Sequence, residues 1–367
     1  MKLLLSRRFD WYLLVLVLAL SAFGVLMVAS ALSGNAIYAS WPWWQAAFLG
    51  IGLVLLFLTA AVDYRLLESF AYPLYAIFLA FLAVIAVIGT VAGGAQRWLK
   101  LGEFFLQPSE LTKIAVILAL AHYLARREER MESFLTPLGA LLLLAPAVVL
   151  IYLQPSLGTA LSVVVIGGVM LVMGGLRLRH ALVLGAVAIG GAILAWQFVL
   201  QDYMRTRVEM FLNPSQAAAG DLYNVEQAII SIGSGGWLGR GLFRGSQSQL
   251  HFLRVRHSDF IFSVTAEELG FIGAVLLLLL FALLLFRLVY IAGRARDTFG
   301  MLIVVGVTTM ILFQLVINVG MNLNIMPVAG IPLPFISYGG SSLWTMLIGI
   351  GLAESVMLRH KKIGFDG

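Results

Sequence analysis

The sequence predicts an all-α integral membrane protein: a polytopic bundle of about ten transmembrane helices, with one long extracytoplasmic loop carrying short interfacial helices. Three observations predict it. Of 367 residues, 61% are hydrophobic and 11% are charged, whereas a soluble domain carries roughly 25% charged residues to wet its surface. The apolar residues form long uncharged runs, and about 20 such residues cross a bilayer as a helix. The basic residues sit at the ends of those runs, where membrane proteins use them to set orientation. Residues 1–367 therefore read as a single membrane domain, with the loop 201–259 inside it.

The same observations exclude several classes. The chain has no cysteine, which removes disulfides, thiolate catalysis and Cys-type metal sites. A net charge of +6 scattered over helix ends is no footprint for nucleic acid. The first apolar run follows Lys2, Arg7 and Arg8 and ends near Ala29-Ser30-Ala31, in the manner of a signal peptide. At about 20 residues it exceeds the 7–15 of a signal peptide, so it reads as an uncleaved span.

Spans are expected near 11–32, 43–62, 71–92, 110–125, 137–152, 157–176, 180–200, 260–291, 300–323 and 336–358. An even number puts both termini on one side. With the termini inside, the cytoplasmic side takes the basic residues of both termini and those at 65, 126–130, 177–179, 287–296 and 359, while the short outer loops hold Arg97 and Lys100. That asymmetry places the termini in the cytoplasm. The loop 201–259 is far longer than an ordinary connection. It contains Val208–Leu212 and Val225–Ile232, apolar enough for helices lying on the membrane surface. Its Gly233-Ser234-Gly235-Gly236 run reads as a flexible hairpin, not a dinucleotide fingerprint, since no strand precedes it.

An ionisable group inside a span costs about 2.5–3.5 kcal/mol on insertion scales, so each one needs an explanation. Glu110 and Lys113 open the fourth span one helical turn apart. They fit either a self-neutralising pair with the lysine snorkelling to the interface, or a charged pair facing a cavity. Asp259 begins the eighth span. It fits either a helix cap or a proton acceptor beside the cations Arg254, Arg256 and His257, with Glu267 and Glu268 deeper in the same helix. Gln314, Asn318 and Asn322 form a polar stripe, expected to make interhelical hydrogen bonds. The proline- and glycine-rich stretch from Pro327 to Ser342 reads as an irregular mouth, tolerated only against protein or water.

These stretches resemble the SEDS family (shape, elongation, division and sporulation), bacterial membrane glycosyltransferases that polymerise peptidoglycan. The resemblance rests on Gly94-Ala95-Gln96-Arg97-Trp98-Leu99, Gln107-Pro108-Ser109-Glu110 through Lys113, and Gly233-Ser234-Gly235-Gly236. It continues through Gly245-Ser246-Gln247-Ser248-Gln249-Leu250, His257-Ser258-Asp259-Phe260-Ile261-Phe262, Glu267-Glu268-Leu269-Gly270 and Pro332-Leu333-Pro334 with Ser337-Tyr338-Gly339-Gly340. These run in the family's order over nearly the whole chain. The Gly245–Leu250 stretch is more similar to the elongation (RodA-like) than to the division (FtsW-like) members.

The resemblance implies joining of lipid II units at the outer face of the bacterial cytoplasmic membrane during cell elongation, with undecaprenyl pyrophosphate released and the anomeric carbon inverted. It implies Asp259 as general base and Glu110 with Lys113 as a functional pair in the central cavity. Arg97, Arg205, Arg207, Arg256, His257, Glu267 and Glu268 are then the candidates for substrate binding. A divalent cation, magnesium or manganese, is compatible with a pyrophosphate leaving group, although no compact carboxylate motif is dedicated to one. The implied partners are membrane lipid and a class B penicillin-binding protein, since the chain carries no Ser-x-x-Lys acylation motif in an outer domain. Two departures stand out. Ser156 occupies a position where the family usually has aspartate, and Arg254-Val255 replaces its usual Pro-Glu. A lipid II transporter and a non-catalytic scaffold are the competing functions. A transporter would more naturally show inverted repeats and charges at the midplane.

Overall fold

The computed structural model describes residues 9–34, 36–92, 95–101, 104–213, 223–250, 252–253 and 255–360. Its helices, in chain order, are α1 (Trp11–Leu32), α2 (Trp41–Ala61), α3 (Tyr64–Ile88), α4 (Pro108–Ala125), α5 (Leu135–Leu153), α6 (Leu157–Met173) and α7 (Leu178–Phe198). They continue with the short α8 (Asp202–Leu212), α9 (Tyr223–Gly235) and α10 (Ser246–Gln249), then α11 (Ile261–Gly293), α12 (Thr298–Asn322) and α13 (Gly340–Leu358). Each expected span is a helix. Among the described residues, eight helices are long and apolar enough to cross a membrane; α6 is a shorter apolar helix. The remaining one, α4, carries Glu110 and Lys113 in its first turns.

The third span begins at Tyr64, seven residues before the expected 71, and stops at Ile88. The Asp63 carboxylate caps it by accepting from the Arg65 amide (3.0 Å). Pro73 lies inside this helix without ending it. The residues that follow add a small antiparallel sheet to a fold expected to be all helical: β1 (Thr90–Ala92), β2 (Ala95–Leu101) and β3 (Phe104–Leu106), in the order β1-β2-β3. Ala95–Leu101 alternates apolar and polar residues over part of its length, the period of a strand. Leu99 faces Leu106 across the β2–β3 pair.

The helices differ in depth. Nearly every residue of α4 and α13 is buried, and α12 is buried over most of its length. In α7 only His180 is buried, so this helix lies at the rim. The helices alternate in direction, so α2, α4, α6, α11 and α13 all begin at one end of the bundle, here the Asp259 end. The other end is held by ion pairs: Asp10–Arg287 (2.6 Å), Asp63–Arg359 (3.4 Å) and Glu68–Arg126 (3.3 Å).

The long loop is more integrated than a surface hairpin. α11 is broken at Gly270, whose φ of 67° is left-handed. The chain after α9 fits into that break. Arg240 and Gly241 amides donate to the carbonyls of Glu267 and Glu268 (3.0 and 2.9 Å), and the Phe271 amide donates to Gly236 (2.8 Å). These bonds satisfy backbone groups freed by the break. The expected flexibility of Gly233–Gly236 is thus corrected: a Cβ at Gly235 would lie 2.0 Å from the Ala266 carbonyl oxygen, and one at Gly239, with φ +78°, 2.2 Å from that of Glu268. The glycines permit close backbone approach. Gly239→Ala is expected to lower stability by about 2–4 kcal/mol through strain and overpacking. Gly233→Ala, which meets nothing within 4 Å, should not. Thermal unfolding of the two purified variants in detergent measures the difference.

Candidate active site

Asp259 stands two residues before α11, in a turn held from three directions. Its carbonyl oxygen accepts from Asn318 Nδ2 (3.1 Å) and Asn322 Nδ2 (2.9 Å), one turn apart on α12. The Ser258 carbonyl accepts from Ser337 Oγ (2.6 Å), and the His257 carbonyl accepts from the Tyr338 amide (2.9 Å). Gln45 of α2 secures the far side of that segment, donating to the Ser337 carbonyl (3.2 Å) and accepting from the Gly339 amide (3.1 Å). The Asp259 carboxylate is partly exposed, accepts from Ser258 Oγ (3.1 Å) and lies beside Gly330. The capping alternative is corrected: the cap of α11 is Phe260, with no side-chain bond.

The expected cationic cluster is weaker in charge than its sequence. Arg256 is buried, with Nε donating to the Ala31 carbonyl (2.5 Å) and Nη1 to that of Leu253 (3.4 Å), while Nη2 has no protein partner. Burial, reinforced by the Arg256 guanidinium, pushes the His257 imidazole down from 6.5 to about 4. Its ring sits edge-on to Trp41, with centroids 5.1 Å apart, and near Tyr338. Arg254 lies outside the described residues, as do Lys2, Arg7, Arg8, Lys361 and Lys362. Because the folded imidazole resists protonation, the unfolded chain binds the extra proton between about pH 6.5 and 4. His257 therefore contributes stability above that window that is lost as pH falls through it, by at most about 3 kcal/mol. A thermal midpoint that falls on acidification, with a shallower slope in His257→Gln, is the expected result.

Glu110 and Lys113 form a buried pair, with Nζ 2.9 Å from both carboxylate oxygens. The lysine side chain is 1% exposed, so snorkelling to the interface is corrected. The α4 start is tied to the same segment that holds Asp259, through the Gln107 amide and Ser341 Oγ (2.8 Å). Arg207 reaches over the mouth and donates to the Val328 carbonyl (3.4 Å), whereas Arg205 bonds back to Gln197 at the end of α7 (2.9 Å). Arg97 lies in β2, and its side chain is outside the described residues.

Glu267 and Glu268 are fully buried and engaged away from the mouth. Glu267 accepts from the Gln247 amide (2.8 Å) and Ser246 Oγ (3.3 Å). Glu268 accepts from Ser30 Oγ (2.7 Å), which in turn accepts from the Phe243 amide (3.0 Å). Their surroundings are those of loop anchors, in place of the substrate contacts expected of them. Ser156, at the start of α6, bonds Thr159 Oγ1 (2.9 Å). The polar groups that sequence reasoning did not assign to the site are Gln45, Asn318, Asn322 and Ser337. Gln45 had a signal, a lone amide in an apolar run. Among the described residues no three His, Asp or Glu side chains cluster to hold a metal.

A family model described as "Cell cycle protein", covering FtsW, RodA and SpoVE, matches residues 10–362. The chain is 38% identical to peptidoglycan glycosyltransferase MrdB of Escherichia coli (strain K12) over 354 residues, 96% of this chain and 95% of the relative. It is 36% identical to stage V sporulation protein E of Bacillus subtilis (strain 168) over 359 residues, 95% of this chain and 96% of that one. A solved structure described as the structural coordination of polymerization and crosslinking by a peptidoglycan synthase complex superposes with a TM-score of 0.83 at 36% identity, covering 97% of this chain and 100% of that one. The rod shape determining protein RodA of Thermus thermophilus gives a TM-score of 0.70 at 35% identity, covering 96% and 98%. A multi-pass helical membrane protein matched from end to end in this way belongs to the SEDS family of peptidoglycan glycosyltransferases, on its RodA-like side.

Proposed function

We propose that this chain polymerises lipid II at the outer face of the cytoplasmic membrane, with Asp259 as general base. One observation carries the reading: a partly exposed carboxylate in a turn fixed by Asn318, Asn322 and Ser337 at the rim of the bundle. The basic residues clustered at the opposite end support cytoplasmic termini and an outward-facing Asp259. Asp259 takes the proton from the acceptor sugar hydroxyl as that oxygen attacks the donor's anomeric carbon. The new glycosidic bond forms with inversion, and the bond to pyrophosphate breaks, its electron pair leaving with undecaprenyl pyrophosphate.

Arg207, which reaches over the mouth, is the cation that meets the pyrophosphate, and Arg97 and Arg205 of the outer loops belong to the same proposal; Arg256, buried against the Ala31 and Leu253 carbonyls, holds the turn before Asp259. His257, neutral at pH 7, contributes shape and hydrogen bonding. A divalent cation would be held chiefly by the substrate's own phosphates. Cross-linking requires a partner, and a class B penicillin-binding protein is the chemistry that fits. The likeness to a structure described as a synthase complex supports it. The test is purified full-length chain given lipid II, with and without that partner, followed by glycan length on a gel. Polymer from wild type and none from Asp259→Ala supports the reading. Passage of lipid II across vesicles without polymer would replace it with a transporter.

A further inference from the structure

We infer that Asn318 and Asn322 are positioning residues for Asp259, which deepens the polymerase reading above and rests on it. The geometry is specific. Asn322 Oδ1 accepts from both the amide and the hydroxyl of Ser263 (3.1 and 2.5 Å). Those donors fix which way the amide lies, so Nδ2 must face the Asp259 carbonyl, where it donates at 2.9 Å, and the Asn318 carbonyl, at 2.8 Å. Asn318 Nδ2 divides between the Asp259 carbonyl and that of Ile331 (2.8 Å). Both asparagines are fully buried. Two donors from successive turns of α12 thus converge on one carbonyl oxygen, and one of them also holds the mouth segment that lies beside the carboxylate. Rotation of the 258–260 peptide planes would break both bonds and leave one hydrogen of each buried amide without an acceptor. The pair therefore fixes the direction of the Asp259 side chain relative to Gly330 and fixes the mouth to the same point, so base and entrance keep one spacing.

An aspartate at 322 is nearly isosteric. It keeps the acceptor for Ser263 but presents a carboxylate oxygen to the Asp259 carbonyl where the amide had donated. Asn322→Asp and Asn318→Asp are therefore each expected to lower kcat about 10- to 100-fold, as misplacement of a reacting group does. KM for lipid II should change little; the buried carboxylate lowers the thermal midpoint, so each rate is measured at a temperature where thermal unfolding shows that variant to be folded. In an Asp259→Ala background neither substitution should reduce the residual rate further, because both act through Asp259. The experiment is lipid II polymerisation kinetics on the purified full-length variants, with thermal unfolding in parallel. An unchanged kcat in both folded variants overturns the inference, and so does a loss in which KM moves together with kcat or which the unfolded fraction accounts for. If Asp259→Ala itself polymerises like wild type, the general-base reading fails instead, a result distinct from either.

Discussion

Replacement of Asp259 by alanine is expected to abolish glycan polymerisation while leaving the protein folded. A positioned general base contributes about 10²–10⁴-fold, so the residual rate should fall near the floor of a gel assay. Stability is spared for a structural reason. The clamp on this turn holds the main-chain carbonyl of residue 259, which alanine retains, and the side chain does not cap α11. The loss includes the bond from Ser258 Oγ, a contribution of about 1 kcal/mol. Asp259→Asn should be equally inactive, since the amide fills the same space without accepting a proton. Glycan length on a gel, with thermal unfolding of each variant, checks both statements. A variant that is inactive and also unfolded would show that the carboxylate is structural.

The second large effect concerns Glu110 and Lys113. Lys113→Met leaves a carboxylate buried without its cation, which costs about 3–5 kcal/mol, enough to consume much of the stability of a domain. Glu110→Gln strands the ammonium in the same way. The double variant Glu110→Gln/Lys113→Met removes both charges and replaces them with groups of similar size, so stability should return to within about 1–2 kcal/mol of wild type. Polymerisation is expected to stay low in the double variant, because a pair this costly to bury, tied to the same segment as Asp259 through Gln107 and Ser341, serves the reaction. Recovery of both stability and polymer would assign the pair a purely structural role.

The sequence by itself determined the class of the molecule and the place of its chemistry. Runs of about 20 apolar residues can only be spans, and the structure has a helix at each of them. Asp259 was legible because a carboxylate at the head of such a run demands a reason. Only the tertiary structure decided what the other charged groups do. Glu267 and Glu268 follow Asp259 in the same helix, yet the break at Gly270 and the returning chain at Gly235–Gly241 turn them into anchors for residues 243–247. Arg256 has charge in the sequence and two carbonyls in the fold. Gln45 and Asn322 lie far apart along the chain, but their amides close on the segments 337–339 and 259–263. The physical reason is common to all of these. Hydropathy is a local property, averaged over one helix, and it survives any arrangement of helices. The partner of a buried polar group is set by which backbone breaks its helix regularity nearby, and in this bundle those breaks lie up to 344 residues away.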